Sequence, residues 1–157
     1  MNTKQYLKAG GKVLGEIKKL ASEYYNLTGR PLGITGEIAE YEAVRILKLD
    51  VSDVRQSGFD ATRKVNNIIR KIQIKGRVIH ANSKTGQRVG SIKLDKEWDL
   101  VVLVLMDSNF NATEIYEAVR KDIKKALTEG NSKARNERGS LGVNKFKSIA
   151  SLVWKKK

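Results

Sequence analysis

Apolar positions fall into blocks whose spacing changes along the chain, and each change marks an element. From residue 3 to 27, Tyr6, Leu7, Val13, Leu14, Ile17, Leu20, Ala21 and Tyr24 recur at helical spacing, which predicts a short helix, a break at Gly10-Gly11 and a longer helix. Gly29, Gly33 and Pro31, the only proline, end it. Thr35 suits the N-cap of a next helix over residues 36–49, with Ile38, Ala39, Ala43, Ile46 and Leu47 as its apolar stripe and Glu37 and Glu40 on one face. The period then shortens, and strands are predicted over 52–56, 58–63 and 68–79. Between the last two, Asn66-Asn67 forms a two-residue turn, since asparagine tolerates positive φ. Residues 98–106 are nearly all apolar after Asp99, the composition of a strand covered on both faces. A further strand over 113–116 leads to a helix over 118–127 with Arg120, Lys121, Lys124 and Lys125 on its outward side. Segments 81–90 and 129–142 are polar and glycine-containing and read as loops. Asn144 then caps a last helix carrying Phe146, Ile149, Ala150, Val153 and Trp154. There is no internal repeat, coiled-coil heptad array or low-complexity tract.

This order of elements predicts an α/β fold, a mixed central β-sheet flanked by helices, in one domain over residues 1–157. Its parts are an N-terminal helical segment (1–34), a core (35–127) and a basic loop with a C-terminal helix (128–157). The longest apolar run, 100–106, is far short of a membrane span, and the N-terminus lacks a hydrophobic stretch with a cleavage site. A cytoplasmic protein with no membrane partner is therefore expected. The absence of cysteine removes disulfides, zinc–thiolate sites and thiol catalysis. The single histidine, His80, removes histidine triads and reads as a surface or loop residue.

Charge narrows the choice of partner. The chain carries 31 basic and 17 acidic residues, a net charge of +14. The excess grows from +2 over residues 1–50 to +5 over 51–110 and +7 over 111–157. Such an excess attracts polyanions, phosphate backbones first among them.

Candidate chemistry lies in the hairpin. A turn at Asn66-Asn67 puts Asp60 opposite Gln73, and alternation puts Lys75 on that same face while Ile72 and Ile74 point to the core. A carboxylate and an amide oxygen are hard ligands suited to Mg²⁺, and a nearby ammonium neutralises charge building on a phosphate. That constellation suits metal-assisted phosphodiester hydrolysis. The same spacing also serves an ordinary amphipathic hairpin with a solvated polar face. Arg63, Lys64, Arg70, Lys71 and Arg77 on or near the hairpin would hold phosphates, and Lys84 and Arg88 of the following loop would embrace a DNA backbone or simply lie on the surface.

Asp60, followed after twelve residues by Gln73-Ile74-Lys75, resembles the signature of the PD-(D/E)XK, or restriction-endonuclease-like, nucleases. Residues 36–49 resemble the upstream helix that often supplies a further glutamate there, and the motifs span about residues 35–107. Gln73 stands where an acidic residue is usual, a variant similar to the Mrr-type branch, and Phe59 rather than proline precedes Asp60. The resemblance implies a restriction-endonuclease-like fold, DNA as substrate, and Mg²⁺ (with Mn²⁺ as substitute) as the cofactor, with no small-molecule cofactor. It implies Asp60, the Gln73 side-chain oxygen, the Ile74 carbonyl and Glu40 as metal ligands. Lys75 would polarise the water or the scissile phosphate, and Glu37 would be the second choice of helical glutamate. It also implies a homodimer, because cutting a duplex asks for two sites. The expected activity is endonucleolytic hydrolysis by metal-activated water. A catalytically inactive DNA-binding protein of the same fold is the alternative, and a basic structural or ribosome-associated protein ranks third.

Overall fold

The paired asparagines dictate the hairpin around which the molecule is built. In the computed structural model, which describes residues 1–53, 58–81, 86–129 and 139–157, Asn66 and Asn67 take φ of 50° and 63°, the left-handed values a type I′ turn requires. Strand β2 (Ala61–Val65) thereby pairs antiparallel with β3 (Ile68–Val78), Val65 facing Ile68 and Ala61 facing Ile72. With β1 (Asp50–Val51), β4 (Leu100–Met106), β5 (Ala112–Val119) and β6 (Ser151–Lys155), they form one six-stranded sheet in which spatial order follows chain order. Only the β3–β4 pair is parallel among these neighbours, so the sheet is mixed.

Helices cover both faces. On one face α3 (Thr35–Leu47) packs Ile38, Ala39, Ala43 and Val44 against Ile72, Ile74, Val102 and Val104, and the N-terminal helices add Leu7, Leu14 and Ala21. On the other, Ile123, Ala126 and Leu127 of α4 (Arg120–Thr128) and Phe146 of α5 (Val143–Ile149) pack against Val101, Leu103, Leu105 and Tyr116. All seven residues of β4 are buried, which explains why that strand lacks polar alternation. No helix among the described residues is long and apolar enough to cross a membrane.

Several expected boundaries move. The N-terminal helix does not break at Gly10-Gly11. Instead α1 (Thr3–Gln5) runs through a π-helical turn (Tyr6–Gly10) into α2 (Gly11–Thr28). A Cβ on Gly11 would lie 2.3 Å from the Tyr41 hydroxyl, so the glycine there permits close helix contact rather than a break. Thr35 is the first residue of α3, after an N-cap at Ile34 that has no side-chain cap bond. The strand expected over 52–56 is not found at 52–53, which are not strand; a two-residue strand, Asp50–Val51, ends just before them, and residues 54–57 lie outside the described ones. Strand β2 begins at Ala61 rather than 58, and β3 and β4 are one and two residues shorter than expected. Strand β5 extends to Val119, delaying α4 to Arg120.

The last helix is the largest correction. It is capped at Gly142 rather than Asn144 and stops at Ile149, and Ser151–Lys155 turns back as β6 along the β5 edge, pairing Glu114 with Lys155. Arg120 also departs from expectation. Its guanidinium donates to the Lys96 and Trp98 carbonyls at 2.8 and 2.9 Å and lies 4.5 Å from the Trp98 ring centroid, while Lys121, Lys124 and Lys125 are exposed.

Candidate functional site

Asp60 sits just before β2, held between two strands. Its N–H donates to the Ile72 carbonyl at 2.8 Å, and its carbonyl accepts from Ser52 at 3.1 Å. Its Oδ2 accepts the Ile74 N–H at 2.6 Å. Gly58, at φ 101°, lets the chain arrive there. A Cβ at that position would meet the Glu97 carbonyl at 3.0 Å, so a side chain would be both strained and crowded. The regular ladder ends with Ala61 opposite Ile72. Because the Asp60 N–H also reaches the Ile72 carbonyl, Asp60 does not continue that register to face Gln73 as expected. It meets β3 through the Ile74 N–H instead, while Gln73 and Lys75 share one face of β3 by alternation.

Gln73 is 9% exposed. Its Oε1 is buried without a hydrogen-bond partner among the described residues. An orphaned buried acceptor costs about 1–3 kcal/mol, so this carbonyl is built to receive something. Beside it, burial pushes the Asp60 carboxyl upward, partly opposed by the Ile74 N–H and by Lys75. Burial also pulls the Lys75 ammonium down against the pull of Asp60 and Glu40, with Lys93 adding to the fall.

Helix α3 supplies Glu40 because β3 lets it come close. A Cβ on Gly76 would lie 2.5 Å from Ala39 Cβ and 2.9 Å from the Thr35 carbonyl, so only glycine admits this helix–strand approach. Glu40 is pushed up to about 7, chiefly by burial, then by Asp60 and Glu37, with Lys75 opposing. Glu37, one turn earlier, is exposed and acts through its charge.

The structure thus brings Asp60, Lys75 and Glu40 within electrostatic reach of one another, with Glu37 at the margin, and Gln73 lies two residues from Lys75 on the same face of β3. Ile74 gives its N–H to Asp60 and its side chain to the core. These residues fit a divalent cation in donor chemistry, with two carboxylates raised chiefly by burial and one buried amide oxygen that has no partner among the described residues. Among the described residues no group of three or more histidine, aspartate or glutamate side chains forms a metal shell. Any such ion would rest on two acids and neutral oxygens.

The basic residues divide. Lys64 and Arg70 are exposed on the hairpin. Arg63 pairs with Glu117 at 2.8 Å, and Lys71 pairs with Glu97 and lies 5.4 Å from the Phe59 ring centroid. Arg77 donates to the Arg88 carbonyl, and Arg88 to Ser140, at 2.9 Å for its Nε. Arg77 and Arg88 therefore brace the loop against the segment after residue 138 instead of reaching outward. Lys84 lies outside the described residues. His80 follows β3 and stacks on Tyr25 at 4.3 Å, as a packing residue.

Three participants were missed by sequence reasoning. Tyr6 is one, its hydroxyl pushed up to about 12 by burial and then by Glu40, Tyr41 and Glu37. Lys93 and Gly76 are the others, and only Gly76 carried a sequence signal, a glycine inside a strand. A scan against models of known protein families finds no match to this chain, and a search of curated proteins finds none either.

Proposed function

We propose that the protein is a Mg²⁺-dependent DNA endonuclease of the restriction-endonuclease-like kind. The observation that carries this reading is the orphaned Gln73 Oε1, buried on the strand face that bears Lys75, with Asp60 and a Glu40 pushed up to about 7 both within electrostatic reach of that lysine. Asp60, the Gln73 amide oxygen, the Ile74 carbonyl and Glu40 would hold Mg²⁺ or Mn²⁺. A bound divalent cation supplies positive charge at the phosphate and a water of lowered pKa. Glu40 would either complete that shell or orient the attacking water from its edge. Lys75, screened from solvent, donates to a phosphate oxygen and offsets the charge that builds as the new P–O bond forms and the bond to the leaving strand end breaks. The net charge of +14 supports a nucleic acid as substrate.

A catalytically inactive DNA-binding protein of the same fold is the second reading. It is favoured by the same glutamine, which adds no negative charge, and by the lack of a third gathered acid among the described residues. Incubating supercoiled DNA with Mg²⁺ or Mn²⁺ separates the two. Nicking or linearisation that disappears in Asp60→Ala and Lys75→Ala supports the nuclease, and cleavage that persists in both variants refutes the site. Binding without cleavage in any divalent ion moves the conclusion to the second reading. Gln73→Leu should abolish cleavage while raising stability by about 1–3 kcal/mol, since it removes a buried acceptor that lacks a partner.

A further inference from the structure

The tip of the β2–β3 hairpin stands clear of the sheet that carries it. Strand β1 pairs only with Ala61 and Thr62, and β4 starts opposite Ile72. Among the described residues, the last three rungs, Arg63–Arg70, Lys64–Ile69 and Val65–Ile68, therefore have no strand on either side. Residues 64–70 are exposed without a break. A two-stranded ribbon is marginal on its own, but a tight turn closes this one and Lys71 anchors its base. The Lys71 N–H donates to Asp99 Oδ2 at 2.8 Å, and its carbonyl accepts the Asp99 N–H at 2.8 Å.

The side chains at this tip are apolar on both faces. Val65 is 44%, Ile68 54% and Ile69 62% exposed. Strand propensity favours branched residues here, but threonine would satisfy it equally, and three large aliphatics at one apex form a contiguous patch. Val65 and Ile68, directly opposed, share one face with Arg70 in the next rung, while Ile69 occupies the other face opposite Lys64. Each face thus presents an aliphatic surface with an exposed cation beside it. Residues 61–71 hold four basic and no acidic residues. A partner offering apolar planes flanked by negative charge on two opposed sides is a pair of nucleic-acid strands, since each strand has base faces and its own phosphates. A membrane or a protein groove would cover one face and leave the other in water. With side chains on both faces the ribbon is about 10 Å thick, the height of about three base steps. That is too thick to slip between stacked neighbours and suits a place where the strands diverge.

The geometry points to the hairpin tip as a pin that parts the strands of a DNA duplex at an end or fork, with Ile69 and Lys64 against one strand and Val65, Ile68 and Arg70 against the other. The proposal rests on the nuclease reading only for DNA as the partner, and it narrows the substrate to a duplex with diverging strands. Ile69 and Gln73 share a face of β3 about 13 Å apart, so the strand on that side is led toward the candidate site.

The test is run in chelator, so that it reads parting whether or not the protein cleaves. A forked duplex carries 2-aminopurine, which brightens when unstacked, in the first pair of the fork, and a duplex closed by a loop at each end carries it at the centre. Saturating wild-type protein should raise the fluorescence of the fork several-fold and leave the closed duplex unchanged. Ile68→Thr with Ile69→Thr keeps branched residues in the ribbon but removes their apolar surface. This double variant should melt as the wild type does, bind the fork within a few-fold of wild type, and lose most of the rise. Should it melt early, Ile69→Thr alone carries the same expectation. Lys64→Ala should weaken binding yet reach the full rise at saturation. The pin is overturned if bound wild-type protein gives no rise, if the threonine variants give a rise equal to wild type, or if the closed duplex brightens as much as the fork. Failure to bind DNA, with vesicles of anionic phospholipid bound instead, overturns it as well. The expected fluorescence pattern without cleavage in Mg²⁺ removes the nuclease reading and leaves the pin standing.

Discussion

Glu40 concentrates the site's electrostatics in one carboxyl. It titrates near 4.5 when free of the fold and near 7 within it, because burial, Asp60 and Glu37 all disfavour its charge. A carboxyl whose folded pKa is raised contributes stability that is complete below the unfolded value and lost as pH climbs through the folded one. Asp60 is shifted in the same direction, so it adds to the same trend. In the presence of a chelator, the melting temperature should therefore fall as pH rises from about 4.5 to about 7. Glu40→Gln should flatten that fall and gain about 2–4 °C at pH 7.5, the shift expected for roughly 1 kcal/mol in a chain of this size after allowing for partial solvent exposure. Mn²⁺ should reverse the order, stabilising the wild type more at high pH than at low pH, since ligands must lose their protons to bind. Melting curves across this range, with and without Mn²⁺, check both signs; a melting temperature independent of pH between the two values would remove the assigned burial of Glu40.

Strand β3 and helix α3 are set by one glycine. Gly76→Ala forces a Cβ into the Ala39 side chain and the Thr35 carbonyl, so the helix must retreat, taking Glu40 away from Lys75. Overpacking of this kind costs about 1–3 kcal/mol. Cleavage should fall further than that loss of stability explains, whereas Gly15→Ala, with nothing within 4 Å of the new methyl, should stabilise the chain by about 0.4–1 kcal/mol. Urea melts alongside cleavage rates check the contrast. The same elements show what could be read in advance. The hairpin was legible because two asparagines at a turn fix a register, and the register fixes that Gln73 and Lys75 share a face, though not that Asp60 leaves it. Strand β4 was legible from seven consecutive apolar residues. Strand β6 was not: Phe146, Ile149, Ala150, Val153 and Trp154 keep helical spacing through the point where the chain turns extended, at Ala150 with ψ 161°. No glycine or proline marks that change, and what decides it is the free edge of β5, a partner distant in sequence. Tyr6 was illegible for the same reason, since its place near Glu40 depends on docking of the N-terminal helix, through Lys18 on Glu42 and the Tyr41 hydroxyl on the Leu7 carbonyl.

For the molecule as a whole, the excess of 14 positive charges matters only where it faces outward. Much of the hairpin's basic character is already committed, Arg63 to Glu117 and Lys71 to Glu97. Lys64 and Arg70 remain exposed, and Lys64 shares the strand face of Gln73 and Lys75 by ladder alternation. If that face meets a duplex, each of these two cations replaces condensed counterions at one phosphate. Lys64→Ala and Arg70→Ala should each weaken binding to all sequences alike and reduce the salt slope by about 1, with little effect on stability. Arg63→Ala should behave differently. It strands Glu117, which already holds one buried oxygen without a partner among the described residues, and should cost about 1–3 kcal/mol of folding stability. Fluorescence anisotropy with a labelled duplex between about 50 and 200 mM salt measures the slopes, and thermal melts measure the folding cost. Equal slopes in Lys64→Ala and wild type would mean that DNA does not approach along the face that carries the site.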